Sequence, residues 1–226
     1  MPPTRGFAAS IRSAEGLAVI SEIKRRSPSK GDLNVGLDSA QWASSYEAGG
    51  ATCLSVLTDG PHFGGSAEDL AAARTAVSLP VIRKDFTVAP IDVVDARLMG
   101  ADCLLLIVAA LDDAELRDFH DLAIEIGLDV LVETHDEAEV ERAMAVGATL
   151  VGVNQRDLVT FEVDTARAVR VGRSLPTGVV RVAESGVDGP ADAAVLREAG
   201  YDAVLVGEAL VRAGDPAAAV AALRAA

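Results

Sequence analysis

Four apolar runs in this sequence end on polar side chains, three of them able to hold or move a proton. Ala18-Val19-Ile20-Ser21-Glu22-Ile23-Lys24 carries a glutamate and a lysine two residues apart, Pro80-Val81-Ile82-Arg83-Lys84 ends on a lysine, Leu131-Val132-Glu133 on a glutamate and Gly152-Val153-Asn154 on an amide. Side chains alternate across an extended strand, so Glu22 and Lys24 share one side, opposite Val19, Ser21 and Ile23. Ile82 pairs in the same way with Lys84, Leu131 with Glu133 and Gly152 with Asn154. Buried lysines with lowered pKa values and glutamates with raised ones would supply an acid and a base near neutral pH. Salt bridges sealing the end of a core would use the same residue types, but their recurrence at one run's end after another favours a shared site. No Ser-His-Asp grouping is evident, and His62, His120 and His135 lack metal-ligand spacing. His120 and His135 read as surface helix residues, and His62 as a loop residue.

The elements that must position these side chains form a repeat. Gly50, Gly100, Gly127, Gly147 and Gly200 each precede an apolar run by a residue or two, the pattern of a helix ending on a glycine that leads straight into a buried strand. Helical patterns precede them at Ser39 to Ala48, Ile91 to Met99, Asp112 to Ile126, Asp136 to Val146 and Ala191 to Ala199, several opening on Asp or Pro. Three further strands, Ala18 to Lys24, Pro80 to Lys84 and Gly178 to Ala183, bring the total to eight. Eight βα units predict a single α/β domain over residues 1–226, a closed (β/α)8 TIM barrel with a short N-terminal segment, residues 1–17. A doubly wound open sheet is the competing architecture, but its Gly-x-Gly-x-x-Gly turn is missing after the first strand. In such a barrel the C-terminal strand ends carry the site, which is where Glu22, Lys24, Lys84, Glu133 and Asn154 fall.

The last two units hold a second constellation, Ala183-Glu184-Ser185-Gly186 after strand seven and Val206-Gly207-Glu208-Ala209 after strand eight. Loops at these positions bind phosphate through backbone N–H groups in many barrels, so Gly186, Gly207 and Glu208 are candidate phosphate contacts and a phosphorylated small molecule the candidate ligand. A net charge of −14, from 34 acidic and 20 basic side chains, argues against nucleic-acid or anionic-membrane partners. Lys24, Arg25, Arg26, Lys30, Arg83, Lys84 and Arg156 are expected to gather at or beyond strand ends and give that one end a local positive field. Cys53 and Cys103 sit in apolar runs and read as core filling. With no signal-peptide or membrane-spanning stretch at the N-terminus, a cytoplasmic, reduced protein is expected, as a monomer or weak homo-oligomer.

These motifs together resemble the indole-3-glycerol phosphate synthase family. The likeness rests on Val19 to Gly31, with its Glu-Ile-Lys-x-x-Ser-Pro-Ser core, on Leu54 to Asp59 with Phe63-Gly64-Gly65-Ser66, on Arg83-Lys84-Asp85-Phe86, on Leu131-Val132-Glu133, on Gly152 to Leu158, on Ala183 to Gly186 and on Val204 to Leu210. It implies a decarboxylating ring closure and a dehydration without cofactor or metal, converting 1-(2-carboxyphenylamino)-1-deoxyribulose 5-phosphate to indole-3-glycerol phosphate. By motif position, Lys84 is implied as the acid for ring closure and Glu133 as the proton carrier in dehydration. Lys24 would bind the substrate's anionic groups and share the acid role, while Glu22 and Asn154 would orient the lysines and the developing hydroxyl. Glu184, Ser185 and Arg156 would contact substrate, Ser27 would help Gly186, Gly207 and Glu208 with the phosphate, and Pro28, Phe63 and Phe86 would wall the aromatic ring. The family usually carries a helical extension over the barrel mouth. Only Met1 to Leu17 precede strand one here, with one short helix expected at Phe7 to Ser13, so part of that lid is expected to be missing and substrate binding to be weaker.

Three other readings remain open on residues alone: a phosphosugar isomerase, a Schiff-base aldolase using Lys84, and a phosphate-ligand binder without turnover. The isomerase would want a strand-end Cys and Asp, and Cys53 stands early in its strand.

Overall fold

The computed structural model describes residues 3–157 and 162–226; Met1 and Leu158, each part of a segment considered above, lie outside the described residues. Eight parallel strands close into a barrel: β1 (Ala18–Ile23), β2 (Cys53–Leu57), β3 (Val81–Lys84), β4 (Cys103–Ile107), β5 (Asp129–Thr134), β6 (Leu150–Asn154), β7 (Val180–Glu184) and β8 (Ala203–Val206), with β1 hydrogen-bonded to both β2 and β8. The (β/α)8 barrel expected from the repeat is therefore present. Helix α1 (Phe7–Arg12) precedes the barrel, and α2 (Ser39–Ala48), α3 (Ala67–Ala76), α4 (Pro90–Leu98), α5 (Asp113–Glu125), α6 (Glu137–Ala145), α7 (Thr165–Gly172), α8 (Pro190–Glu198) and α9 (Pro216–Arg224) surround it.

Local chemistry accounts for the helix starts. Asp38, Ser66, Asp112, Asp136, Asp164 and Asp215 each accept a backbone N–H from the first turn of the helix they precede, while α4 and α8 begin with Pro, whose missing N–H costs nothing there. Each strand presents two apolar faces, as a parallel sheet covered on both sides requires. Val19, Ile23, Leu54, Val56, Val151 and Val153 pack outward against helices, whereas Ile20, Cys53, Ile82, Cys103, Leu131 and Val182 fill the barrel interior. Cys53 and Cys103 are fully buried in that interior, and burial pushes both thiols up, away from reactivity.

Helix α1 covers the end of the barrel opposite the strand C-termini. Phe7, Ala8 and Ile11 belong to the same interior cluster as Cys53 and Cys103, and Ala8 N–H donates to Asp129 at the start of β5. Three aspartates bind backbone at this end. Asp102 accepts Val81 N–H at 2.8 Å and Arg5 N–H and Arg74 Nη2 at 2.9 Å, and Asp202 accepts Arg181 N–H at 2.8 Å.

Three expectations need correction. His62 stands not in a loop but in the single helical turn Gly60–Phe63 that follows β2. His120 lies on α5 but is buried, and His135 lies on no helix: it follows β5 directly and packs at the barrel mouth. Among the described residues no helix is long and apolar enough to cross a membrane, and no group of three or more His, Cys, Asp and Glu side chains could hold a metal ion.

Candidate active site

Strand register brings the polar side chains to one level at the C-terminal end. Glu133 stands opposite Gly152, Asn154 opposite Glu184, and Glu22 opposite Ser55. Their inward direction follows from the alternation that sends Ile20, Ile82, Leu131 and Val182 into the barrel below them. The pocket they floor is lined by all fifteen residues singled out from the sequence: Glu22, Lys24, Ser27, Pro28, Phe63, Lys84, Phe86, Glu133, Asn154, Arg156, Glu184, Ser185, Gly186, Gly207 and Glu208. Leu105, Ile107 and Leu205 add an apolar wall that the polar strand-end pattern did not mark.

At its centre Lys84 donates to two buried carboxylates, Glu133 Oε2 at 2.8 Å and Glu184 Oε2 at 2.6 Å. Burial disfavours the ammonium, but Glu133, Glu184 and Glu22 outweigh it, and the Lys84 pKa rises rather than falling as expected of a buried lysine. Burial likewise pushes Glu133 up, yet Lys84, the Asn154 amide and His135 pull its carboxyl below the ordinary range. Glu184 goes the other way. Burial, aided by the Glu133 charge, exceeds the pull of Lys84 and lifts its carboxyl to about 7. One ammonium therefore faces one firmly ionised carboxylate and one that titrates near neutrality.

Glu184 is the side chain whose place sequence reasoning missed. It was expected just beyond strand seven as a substrate contact, but β7 runs one residue further and Glu184 is its last member. Its parity with the interior Val182 was the available signal. Gly152 makes room for it: a Cβ there would fall 2.0 Å from Glu184 Oε1. Asn154 donates to Glu133 Oε1 at 2.9 Å, so it orients the glutamate rather than a lysine.

A second pair lies at the end of β1, Glu22 within the strand and Lys24 just beyond it. Lys24 Nζ donates to Glu22 Oε1 at 2.6 Å, and Ser55 Oγ donates to Glu22 Oε2 at 3.1 Å, which fixes the carboxylate. Gly207 leaves space beside this pair, since a Cβ there would meet Glu22 Oε1 at 2.5 Å and Lys24 Nζ at 3.1 Å. Beyond β7 the backbone turns through two left-handed residues, Ser185 at φ 65° and Gly186 at φ 66°; Ser185 carries a side chain in that strained region and its carbonyl accepts Gln155 Nε2 at 2.7 Å.

The cluster of basic residues expected at this end divides in two. Lys24, Lys84 and Arg156 line the pocket, and Lys30 sits at its rim 3.8 Å from Glu208. Arg25, Arg26 and Arg83 instead hold loops: Arg25 grips both Asp69 oxygens at 2.5 and 2.7 Å, Arg26 donates to Pro61 O, and Arg83 binds Asp85 at 3.0 Å and Asp92 O at 2.8 Å. A guanidinium fork suits such multi-point anchoring better than a lysine does.

The family model for indole-3-glycerol phosphate synthase matches residues 1–223. A Nocardioides protein named indole-3-glycerol phosphate synthase is 56% identical over 207 residues, covering 92% of this chain and 80% of its own length. One of the same name from Mycobacterium ulcerans is 51% identical over 220 residues, covering 97% and 80%. Among solved structures, a thiamine phosphate pyrophosphorylase from Pyrococcus furiosus superposes with a TM-score of 0.68 at 17% identity, covering 93% of this chain and 94% of that one. An N-acetylmannosamine-6-phosphate 2-epimerase from Clostridium perfringens gives 0.68 at 13%, covering 88% and 89%. At such identities these two speak for the barrel alone.

Proposed function

The chain belongs to the indole-3-glycerol phosphate synthase family, and from that premise we propose the part each side chain plays in the ring-closing, decarboxylating and dehydrating reaction on 1-(2-carboxyphenylamino)-1-deoxyribulose 5-phosphate. Lys84 is the acid of ring closure. As the ring carbon bearing the carboxylate bonds to the substrate's carbonyl carbon, the Lys84 ammonium gives a proton to the carbonyl oxygen, which becomes a hydroxyl; carbon dioxide then leaves, its bonding electrons restoring the aromatic ring, and the hydroxyl takes a proton from Lys24 and departs as water while the adjacent CH2 carbon loses one. Glu133, ionised and fixed by Asn154, takes up a proton in that last step. Lys24, held by Glu22, binds an anionic group of the substrate and lies within the same pocket as a second acid.

Apolar side chains favour the decarboxylation. Pro28, Phe63 and Phe86, with Leu105 and Ile107, surround the aromatic ring and draw its carboxylate out of water, a setting in which loss of carbon dioxide removes a poorly solvated charge. The turn at Ser185 and Gly186, together with Gly207, Glu208 N–H and Ser27, receives the phosphate, while Arg156 and Glu184 complete the substrate contacts. The protein works on a free phosphorylated small molecule in the cytoplasm, without nucleic acid and as a monomer or weak homo-oligomer.

The observation that carries this reading is the Lys84 ammonium clasped by two buried carboxylates, Glu133 at 2.8 Å and Glu184 at 2.6 Å. Incubation with the substrate should give indole fluorescence, and Lys84→Ala should lower the rate by at least about a hundredfold. No product from the intact chain, or an undiminished rate in the variant, would overturn it. Borohydride trapping that labelled Lys84 would replace the acid by a Schiff-base nucleophile.

A further inference from the structure

His135 has no part in the roles assigned above, yet it stands directly behind Glu133. It is the second residue after Glu133 in sequence, and its ring folds back to leave Nε2 3.6 Å from Glu133 Oε1, on the side of the carboxylate that Asn154 also touches. The ring cannot easily turn away. Nδ1 lies 3.0 Å from Glu139 Oε2 on α6, and the same oxygen accepts the His135 backbone N–H at 2.8 Å. Nε2 is buried and has no hydrogen-bond partner. A buried ring nitrogen without a partner is costly unless something nearby compensates it. Here the compensation is charge, because three carboxylates face the ring from three elements: Glu133 on β5, Glu139 on α6 and Glu184 on β7. Lys84, bound to Glu133 and Glu184, is the other cation of the cluster.

We propose that His135 is a positioning residue for Glu133: anchored through Nδ1 to Glu139, it sets Nε2 against the Glu133 carboxylate as a second cation opposite Lys84, and so keeps Glu133 fixed and ionised for its proton transfer. The inference rests on the reading of Glu133 given above. Neutral imidazole with its proton on Nδ1 would aim a lone pair at a carboxylate oxygen, whereas the imidazolium offers Glu139 and Glu133 one N–H each. In accord with this, burial disfavours the imidazolium but Glu139, Glu133 and Glu184 outweigh burial, and the His135 pKa rises above its ordinary value. Glu133 lines the pocket and His135 does not, so the effect of the ring passes through Glu133.

The test compares wild type with His135→Gln, Glu139→Gln and Glu133→Gln in single-turnover conversion read by indole fluorescence from about pH 4 to 8, with thermal melts as the control for folding. Removing one opposite charge at this range should move the acid limb of the His135→Gln profile up by about one pH unit, and lower the rate about tenfold with substrate affinity changed less than about twofold. Glu139→Gln, which keeps the ring but loosens it, should move the limb the same way by less. If Glu133→Gln is inactive while His135→Gln melts normally and keeps the wild-type rate and acid limb, the role of His135 fails and that of Glu133 stands. If Glu133→Gln remains active, both fail. Should His135→Gln not fold, an unshifted limb in Glu139→Gln overturns the proposal.

Discussion

The two ends of this barrel use carboxylates in opposite ways. At the strand N-termini Asp102, Asp129 and Asp202 bind backbone N–H groups, and Asp102 accepts from Val81 and Arg5 as well as from the Arg74 guanidinium. Helix α1 closes that end with Phe7, Ala8 and Ile11. At the strand C-termini Glu133 and Glu184 share one ammonium, Glu184 Oε1 and His135 Nε2 are buried without hydrogen-bond partners, and Ser185 holds a left-handed backbone. Carboxylates that accept backbone N–H groups fix the start of a strand. Carboxylates competing for one cation differ in proton affinity, and that difference is what proton transfer needs. One end supplies stability, and the other draws on it to hold an under-satisfied cluster in place.

Glu184→Gln puts the largest strain on this contrast. The rate should fall by about a hundredfold or more, because Glu184 holds the Lys84 ammonium that gives up the proton. Stability should move differently. The Glu184 carboxyl lies at about 7 against an ordinary 4.5, so the folded chain binds this proton more tightly than the unfolded chain does. As pH rises from the lower value through the upper, that preference is lost and the carboxylate increasingly opposes folding. At about pH 8 the variant should therefore melt no lower than wild type. A clear drop in Tm there would place Glu184 with the structural carboxylates.

Asp102→Ala makes the converse change. It strands two backbone donors and leaves Arg74 without its buried partner, at a cost of about 3–5 kcal/mol. Calorimetry should show Tm falling by roughly 10 °C, while kcat measured well below the melt stays within about twofold of wild type. Lost activity with an unchanged Tm would break the division between the two ends.

Gly152→Ala gives the smallest and most local effect. The added methyl must displace the tip of Glu184, so the rate should drop roughly tenfold while the melting curve moves little. If Tm falls steeply and the rate does not, the glycine serves strand packing instead.

Much of the mouth was legible because a strand has a period of two. Knowing that Ile82 and Leu131 point inward is enough to send Lys84 and Glu133 inward as well, and the glycine-to-strand repeat sets how many times this happens. Glu184 obeys the same parity, but the apolar run before it stops at Ala183, so the run alone ends the strand one residue early. His135 was hidden for another reason. Asp136 and Glu139 form a helix start after it, which made it look like part of a helix, whereas the chain turns there and brings the ring back over Glu133. Arg25 and Arg83 could not be told from Lys24 and Lys84 by charge, although strand parity already set Arg83 on the outer face; their partners lie 44 residues away for Arg25 and on the neighbouring loop for Arg83.

The sequence by itself determined the barrel, the level at which its chemistry sits and the family to which it belongs, because periodicity, caps and motif spacing are local properties of a chain. Tertiary structure alone decided which charges meet. Lys84 and Glu184 are one hundred residues apart, and only closure of the sheet brings them to 2.6 Å. The proton affinities follow from that meeting rather than from residue type: the same burial that would lower a lone lysine is outweighed by two carboxylates, and of those two the better bound stays ionised while the other rises towards neutrality.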